Sequence, residues 1–348
     1  MAFPLQAEAD IQLPNKSPAE VLAMIGNSTV RDFSGTVEQT SQLGLPQIPS
    51  SMDPGSSTLS ALDALTSNHT ARIYVDGPQK VRVQVMTSLA EQDFVRNGSD
   101  IWAYNSKDNT ATHTILSGTG AGAKSGSAKP HGSGKATTPA QLAERFITAV
   151  TPSTSVTVGK NTKVAGRSAY DLVLRPRTST TLVGSVSIAV DAKTGLPLSV
   201  AVMAKGQKDA ALSVAFTQLS LQTPSASLFT FSPPSGAKVT EHTVSPGTGH
   251  RTTPKHPGAV TPDPDAKAKA NAKQVSTTGS GWSTIVSAPA SALPSELTGS
   301  SLLSSATTKV TGGRLLSTSL LNVLFTTDGR VFAGSVPLAQ LQAAANAK

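Results

Sequence analysis

The chain of 348 residues has a length typical of two domains, and charged residues make up only 14% of it. Hydrophobic residues at 38%, together with 28 glycines, can form a core, which argues against a wholly disordered chain. The absence of cysteine excludes disulfides, thiolate metal sites and a cysteine nucleophile, and the net charge of +8 indicates either solubility alone or an anionic neighbour such as nucleic acid, a membrane or a cell wall.

The first residues resemble the end of a signal peptide. Residues 3–5 read Phe-Pro-Leu, and Ala7-Glu8-Ala9 has the small-x-small form of a cleavage site. Neither a basic start nor a complete apolar stretch precedes them, so a truncated signal and a chance resemblance both stay open. We assign residues 1–16 to a residual signal or N-terminal segment. Apolar runs elsewhere are broken within about ten residues, short of the roughly 20 that span a bilayer.

A short helix and then a meander of strands are predicted up to about residue 117. The helix runs from Pro18 to Ile25, with Ser17 as its N-cap, Glu20 in its first turn, and an apolar face of Val21, Leu22 and Ile25. Strict alternation then predicts half-buried antiparallel strands. Their inward apolar positions are Phe33, Gly35 and Val37, then Ile73 and Val75, then Val81, Val83 and Val85. Turn signals at 76–78 and at Asn97-Gly98 join these strands into hairpins.

A flexible insertion, 118–137, precedes a second predicted helix. Thr138 is its candidate N-cap and Pro152 ends it. Its apolar face carries Leu142, Phe146, Ala149 and Val150. Further strands are predicted at 156–158, 170–174, 182–190, 198–202 and 212–219. Because helices do not alternate with strands, the sequence predicts a mainly β fold with helices (α+β), in which a curved antiparallel sheet or barrel carries the helices.

The rest of the chain divides into a connector and a small C-terminal piece. Residues 243–280 are basic and rich in Pro, Thr and Gly, which is typical of an extended linker. In 281–348 we expect a strand over 314–325, a turn at Asp328-Gly329, a strand over 330–333 and a helix from Pro337 to about Ala345. This hairpin and helix are expected to be too small to bury a core and to dock on the main domain, 17–242, or on a partner.

Seven short segments match a known pattern in chain order. They are FSGTVEQT (33–40), LGLP (43–46), VDGP (75–78), DFVRNGSDIW (93–102), VAGRSAY (164–170), VDAKTGLP (190–197) and FTFSPPSG (229–236). Together, over residues 17–241, they resemble the actinobacterial branch of the LolA-like lipoprotein-carrier and RseB/MucB-like superfamily. The family's lid-holding arginine has no matching position here, and the linker and C-terminal piece lie outside the part shared with the carriers.

The resemblance implies a half-open antiparallel β-barrel lidded by helices, working outside the cytoplasmic membrane in a periplasm-like space or cell envelope. Its apolar concavity takes up acyl chains of lipids or lipoproteins. Partners implied are an anionic membrane surface and a membrane-anchored protein such as an anti-sigma factor. The residues we expect to line the cavity are Val81, Val83, Val85, Leu142, Phe146 and Val150. The alternative is that these side chains fill one another as ordinary core.

Motifs for other chemistry are absent or incomplete. No glycine-elbow serine and no HExxH motif occurs, and the segment before Lys124 has Ala123 where a phosphate loop needs glycine. His250 and His256 indicate either a linker metal site or exposed histidines. The basic residues gather in linkers rather than beside aromatics, which fits anionic headgroups or a solvated spacer better than nucleic acid. We therefore expect no catalytic residues, no metal, no cofactor and no enzyme activity.

Three functions remain in competition: a carrier of lipids or lipoproteins, an envelope sensor that regulates a membrane partner, and a structural envelope protein whose barrel is filled.

Overall fold

The structure, a computed structural model, describes residues 12–44, 67–86, 90–116, 147–148, 150–244, 275–293 and 306–347. These residues form a mainly β protein with few helices, arranged as two sheets in which antiparallel pairing predominates. Of the helices described, none is long and apolar enough to cross a membrane. The fold class predicted from the sequence, mainly β of the α+β type, is confirmed at this level.

The first sheet follows the helix α1 (Pro18–Gly26). Its strands in the described residues are β1 (Asp32–Ser41), β2 (His69–Asp76), β3 (Lys80–Met86), β4 (Glu91–Asn97), β5 (Asp100–Asn105), β6 (Thr110–Leu116), β7 (Thr154–Val158), β8 (Thr162–Val164), β9 (Arg167–Pro176), β10 (Val183–Asp191), β11 (Pro197–Ala204), β12 (Ala210–Ser220) and β13 (Lys238–Val244). A short 3-10 helix, Ala226–Phe229, lies between β12 and β13.

The second sheet contains β14 (Ser276–Thr278), β15 (Ile285–Pro289), β16 (Thr307–Val310), β17 (Gly313–Ser317), β18 (Asn322–Thr326) and β19 (Arg330–Gly334), and α2 (Leu338–Asn346) follows it. Short 3-10 helices flank β15 at Gly281–Ser283 and Ala290–Ala292.

The first sheet is large and curved, with the order β13-β6-β5-β4-β3-β2-β1-β12-β11-β10-β9-β7, and β8 also pairs with β9. Its neighbours are antiparallel except for β13 and β6, which are parallel. Because β13 and β7 end the path without pairing with each other, the described strands form no closed barrel.

Local signals place α1 where the sequence predicts it. The Ser17 backbone N–H donates to Glu20 Oε2 at 2.7 Å, and the Glu20 N–H donates to Ser17 Oγ at 3.3 Å, which completes a capping box. The buried face of the helix packs Val21 against Tyr170, Leu172 and Val190, with Leu22 and Ile25 beside it. The predicted helix and its apolar face are therefore confirmed.

The two predicted hairpin turns also form. Asn97 lies directly opposite Asp100 across the turn between β4 and β5, and Gly98 has a φ of +62°. Gly77 has a φ of +66° in the turn between β2 and β3. Glycine adopts these left-handed angles without the steric cost that a Cβ brings.

The prediction for the C-terminal piece is wrong in two respects. The stretch 314–325 is two strands, β17 and β18, because Thr318 turns the chain: its Oγ accepts from the Leu321 N–H at 2.8 Å. The piece also buries a core of its own, since four further strands and α2 enclose apolar side chains that a single hairpin could not cover. This core consists of Ile285, Leu315, Leu324, Phe332, Val336 and Leu341. In addition, β14 falls inside the range predicted as linker and β13 reaches Val244.

Hydrogen bonds join the second sheet to the first. The Leu182 N–H donates to the Ser335 carbonyl at 2.7 Å, and the Trp282 Nε1–H donates to Thr154 Oγ1 at 2.7 Å. The Ser319 N–H donates to the carbonyl of Leu43 at 2.9 Å. The second sheet thus contacts the loops that follow β1 and precede β10, and the first residue of β7.

The turn beneath α1 generates a testable prediction. Gly195 has a φ of +72°, and a Cβ there would collide with the Met24 carbonyl oxygen of α1. Gly206 has a similar φ of +78° with nothing within 4 Å of a Cβ. We expect Gly206→Ala to cost about 1 kcal/mol through backbone strain alone, and Gly195→Ala to cost about 1–3 kcal/mol more because helix and turn must separate.

Urea denaturation followed by circular dichroism measures both free energies of unfolding. Equal losses in the two variants would show that α1 does not rest on this turn.

Candidate functional site

The first sheet presents an apolar face toward α1. Leu172 lies directly opposite Ile188, Ile188 opposite Val200, and Val200 opposite Val214. Residues directly opposite in antiparallel strands share a face. Because Leu172 packs against α1, this row of aliphatic side chains belongs to the same face, which we call the α1 face.

The α1 face continues across β1 to β5. Val214 lies opposite Gln39, and two residues along β1, Val37 lies opposite Ala71. The row then continues to Val85, and the next row joins Ile73, Val83 and Phe94. The alternation predicted for Val81, Val83 and Val85 therefore places all three side chains on this face.

Part of this apolar surface is open to solvent. Phe94 is 40% exposed, Val200 40% and Val214 37%. Beside Phe94 lies a groove of about 360 Å³, which we call the valine groove, within the range of about 300–1,000 Å³ typical of small-molecule sites. Its walls include Val83, Val85, Phe94, Ala103, Thr110 and Thr112.

The structure places some of the predicted lining residues at the valine groove and others elsewhere. Val83 and Val85 line the valine groove, and Val81 lies on the same face beyond it. Val150 is helical and half-buried but does not line the groove. Leu142 and Phe146 lie outside the described residues. Lining of an acyl cavity by these residues stays a prediction.

Sequence reasoning missed Phe94 and Ala103. The pair Phe94-Val95 reads as a local apolar run, because consecutive strand residues point to opposite faces. Val95 is 1% exposed, whereas Phe94 lies on the α1 face and is 40% exposed. In the sequence, Phe94 is two residues from Gln92, so the alternation of β4 places both side chains on one face. Only the register of the sheet shows that Phe94 lies beside Val83.

An ion pair on the opposite face holds the strands beneath the groove. Arg82 Nε donates to Asp93 Oδ1 at 3.0 Å and Arg82 Nη2 donates to Asp93 Oδ2 at 2.6 Å. Arg82 Nη1 also donates to the Leu228 carbonyl at 3.1 Å, which fixes the 3-10 helix on the sheet. Asp93 is buried. A bidentate pair restricts both strands more than a single contact does.

Aromatic rings on the same opposite face hold the segment after the 3-10 helix. Trp102 stacks on His113 with ring centroids 4.1 Å apart and lies 5.4 Å from the ring of Phe231. His113 Nε2 lies 3.0 Å from Asp100 Oδ1. In the described part of the chain, no group of three His, Asp or Glu side chains is arranged to hold a metal ion, and His250 and His256 lie outside that part.

A second buried ion pair shapes the turn that supports α1. Arg167 donates to both carboxylate oxygens of Asp191, at 2.5 and 3.0 Å, and the Thr194 N–H donates to Oδ1 at 2.7 Å. Burial by itself raises the pKa of Asp191, but the hydrogen bonds from Arg167 and Thr194 outweigh it and hold the pKa below its usual value. The carboxylate therefore stays ionised at neutral pH and keeps Gly195 against the helix.

Comparison with known proteins gives similarity only to solved structures, since no family model and no curated protein matches the chain. The MucA/MucB complex of Pseudomonas aeruginosa is 18% identical, with a TM-score of 0.41, covering 93% of this chain and 94% of that chain. An uncharacterised conserved protein from Thermus thermophilus is 11% identical, with a TM-score of 0.36, covering 64% of this chain and 98% of that chain.

A LolA superfamily protein from Nitrosomonas europaea is 11% identical, with a TM-score of 0.24, covering 62% of this chain and 99% of that chain. The solved structures similar to this chain thus include a LolA superfamily protein and MucB. Identities below 20% and these scores are too low for a function to be transferred from any of the three.

The ion pair beneath the groove generates a testable prediction. Asp93→Asn leaves Arg82 charged and largely buried, so we expect a loss of about 3 kcal/mol in the free energy of unfolding. The matched control is Asp76→Asn, which breaks the more exposed pair between Asp76 and Lys80, 2.7 Å apart. There we expect a loss within about 0.5 kcal/mol.

Chemical denaturation monitored by circular dichroism measures both losses. A change in Asp93→Asn no larger than in Asp76→Asn would contradict a structural role for the buried pair.

Proposed function

We propose that the protein is an extracytoplasmic, non-enzymatic binding protein that takes up acyl chains of lipids or lipoproteins on the α1 face. The observation that carries the proposal is the valine groove, opening beside the exposed ring of Phe94 on a face rich in aliphatic side chains. Soluble proteins rarely leave contiguous apolar surface open unless it binds something. Exposed Val200 and Val214 extend the surface beyond the groove.

The chemistry of the groove favours an uncharged, apolar ligand. Among its described lining residues Asp93 alone is charged, and its side chain points to the opposite face, where it pairs with Arg82. Thr110 and Thr112 place hydroxyl groups at one side, where the polar end of a lipid can lie. Each methylene that leaves water on binding contributes about 0.8 kcal/mol.

In this proposal the curved sheet acts as a half-open barrel of the LolA-like kind, in its actinobacterial branch. The helix predicted from the sequence to carry Leu142, Phe146 and Val150 serves as its lid. The net charge of +8 supports work beside an anionic membrane surface, where basic linkers are attracted to headgroups.

Binding of a palmitoyl chain tests the proposal directly. We expect Phe94→Glu to weaken the affinity for a fluorescent palmitoyl probe by about tenfold or more, because it places a charge where about 1.5–3 kcal/mol of aromatic burial is available. The substitution lies at an exposed position, which favours a variant that still folds.

The matched control is Val239→Glu. Val239 is 45% exposed on β13 and pairs with Ala111, whose side chain points to the opposite face. The Val239→Glu variant should bind the palmitoyl probe with the same affinity as the unchanged protein. Equal binding by all three proteins, or no binding by any of them, would favour the filled structural protein instead.

A second candidate function, an envelope sensor of the RseB/MucB kind that regulates a membrane partner such as an anti-sigma factor, is favoured by the second sheet. This sheet has its own core and hydrogen-bonds to loops of the first, so it can report a ligand to a partner. The MucB structure among the similar proteins is a complex with MucA.

One tryptophan discriminates the sensor from the carrier. The chain has two tryptophans, and Trp282 donates its Nε1–H to Thr154 across the junction of the two sheets. In a Trp102→Phe variant, Trp282 is the single reporter. A sensor should shift the Trp282 emission when unlabelled palmitate binds, because the junction rearranges. A carrier should bind palmitate with the emission unchanged.

A further inference from the structure

A polar groove lies on the face of the first sheet opposite the α1 face. Thr36 of β1 lies directly opposite both Arg72 of β2 and Gln218 of β12. In the next row, Ser34 lies opposite both Tyr74 and Ser220. The six side chains form two rows of three around a groove of about 330 Å³, which we call the Arg72 groove.

The polar groups of this groove have almost no partners within the protein. In the described part of the chain, Ser34, Thr36, Arg72, Tyr74 and Gln218 make no side-chain hydrogen bond or ion pair with another residue. The sixth, Ser220, only accepts from the Gln222 N–H, at 3.3 Å. All six hydroxyl, amide and guanidinium groups therefore remain able to donate to a ligand.

The neighbouring strand on the same face shows the contrast. Lys80 Nζ donates to Asp76 at 2.7 Å, Arg82 forms the bidentate pair with Asp93, and Gln84 Nε2 donates to Glu91 Oε1 at 2.9 Å. Polar side chains on β3 are thus satisfied internally, whereas those of the Arg72 groove are not.

Among the described residues that line the groove, Arg72 alone is charged. Its guanidinium is always protonated and presents a planar fork that matches anionic oxygens. The carboxylates flanking the groove on this face are Glu38, one row further along β1, and Asp32 and Asp76 at the other end. Asp32 accepts from Thr223 Oγ1 at 2.8 Å and Asp76 pairs with Lys80, while Glu38 forms no ion pair with Arg72 within the described residues.

We propose that the Arg72 groove binds the phosphate group of a phosphorylated ligand. The arginine fork alone satisfies a carboxylate, which has two oxygens, but the groove adds hydroxyl and amide donors from two further strands. A phosphate group, with more oxygens, uses these donors. A β-bulge at Thr217, between Gln218 and Phe216, breaks the register of β12 beside the groove, and bulges of this kind re-aim side chains next to sites.

This site is separate from the valine groove. Side chains of the two grooves point to opposite faces of one layer of backbone, so one acyl chain and its own headgroup cannot occupy both by crossing the sheet. The inference therefore goes beyond the proposed function and does not depend on it. The phosphate can belong to a soluble phosphorylated molecule or to a lipid headgroup at a membrane surface.

Calorimetric titration of the full chain with inorganic phosphate and with glycerol phosphate tests the proposal, with phosphatidic acid vesicles as a separate arm. Arg72→Gln keeps most of the side-chain stem and removes the charge. We expect it to weaken phosphate binding by about tenfold or more, in line with the loss of a charged hydrogen-bonded pair. The matched control, Arg175→Gln, removes the same charge from exposed Arg175 of β9, near the other edge of the sheet, and should change binding little.

The arms separate the two sources of phosphate. Arg72-dependent binding of glycerol phosphate supports a soluble ligand, and Arg72-dependent binding of the vesicles alone supports a headgroup. The proposal is overturned if no phosphate probe binds, if both variants lose equally, or if acetate binds as well as phosphate. Circular dichroism of both variants establishes that they fold alike.

Discussion

Alternation of side chains across one continuous antiparallel sheet is the constraint on which the rest of the structure depends. Because each strand sends successive residues to opposite faces, Val83 and Arg82 are neighbours in sequence yet belong to different surfaces. The register between strands then assembles these separate positions into an apolar face and a polar face. A slip of one residue in any strand would exchange the two sets.

The helix α1 covers one end of the apolar face. The position of α1 depends on the turn between β10 and β11. Asp191, held by Arg167, binds the backbone of that turn and brings Gly195 against the Met24 carbonyl. With Val21 buried on Tyr170 and Leu172, this end of the sheet is filled by protein. At the end formed by β3 to β5, Phe94 is 40% exposed, so one part of the face is core and the other is accessible to solvent.

The sequence predicts whatever is encoded by neighbouring residues. The capping box at Ser17, the turns at Gly77 and Gly98, and the alternating valines of β3 are local, and each forms as expected. Structure that depends on distant partners was missed: β13 pairs in parallel with β6 from more than a hundred residues away, and β14 completes a sheet whose other strands follow it. The same limit applies to both grooves, since Arg72 and Gln218 meet only through the register of β1 with its two neighbours.

The Arg82–Asp93 pair links the two grooves physically. Asp93 precedes Phe94 in β4, and Arg82 lies directly opposite Tyr74, a member of the Arg72 groove. The pair is bidentate and buried, and Arg82 also holds the Leu228 carbonyl, so β2, β3, β4 and the 3-10 helix are held in one arrangement. Neither groove can change shape at these strands without disturbing that arrangement, so both grooves are preformed there. Either charge of the Arg82–Asp93 pair would be costly to bury alone. Paired, the two side chains keep the strands beneath both grooves in register.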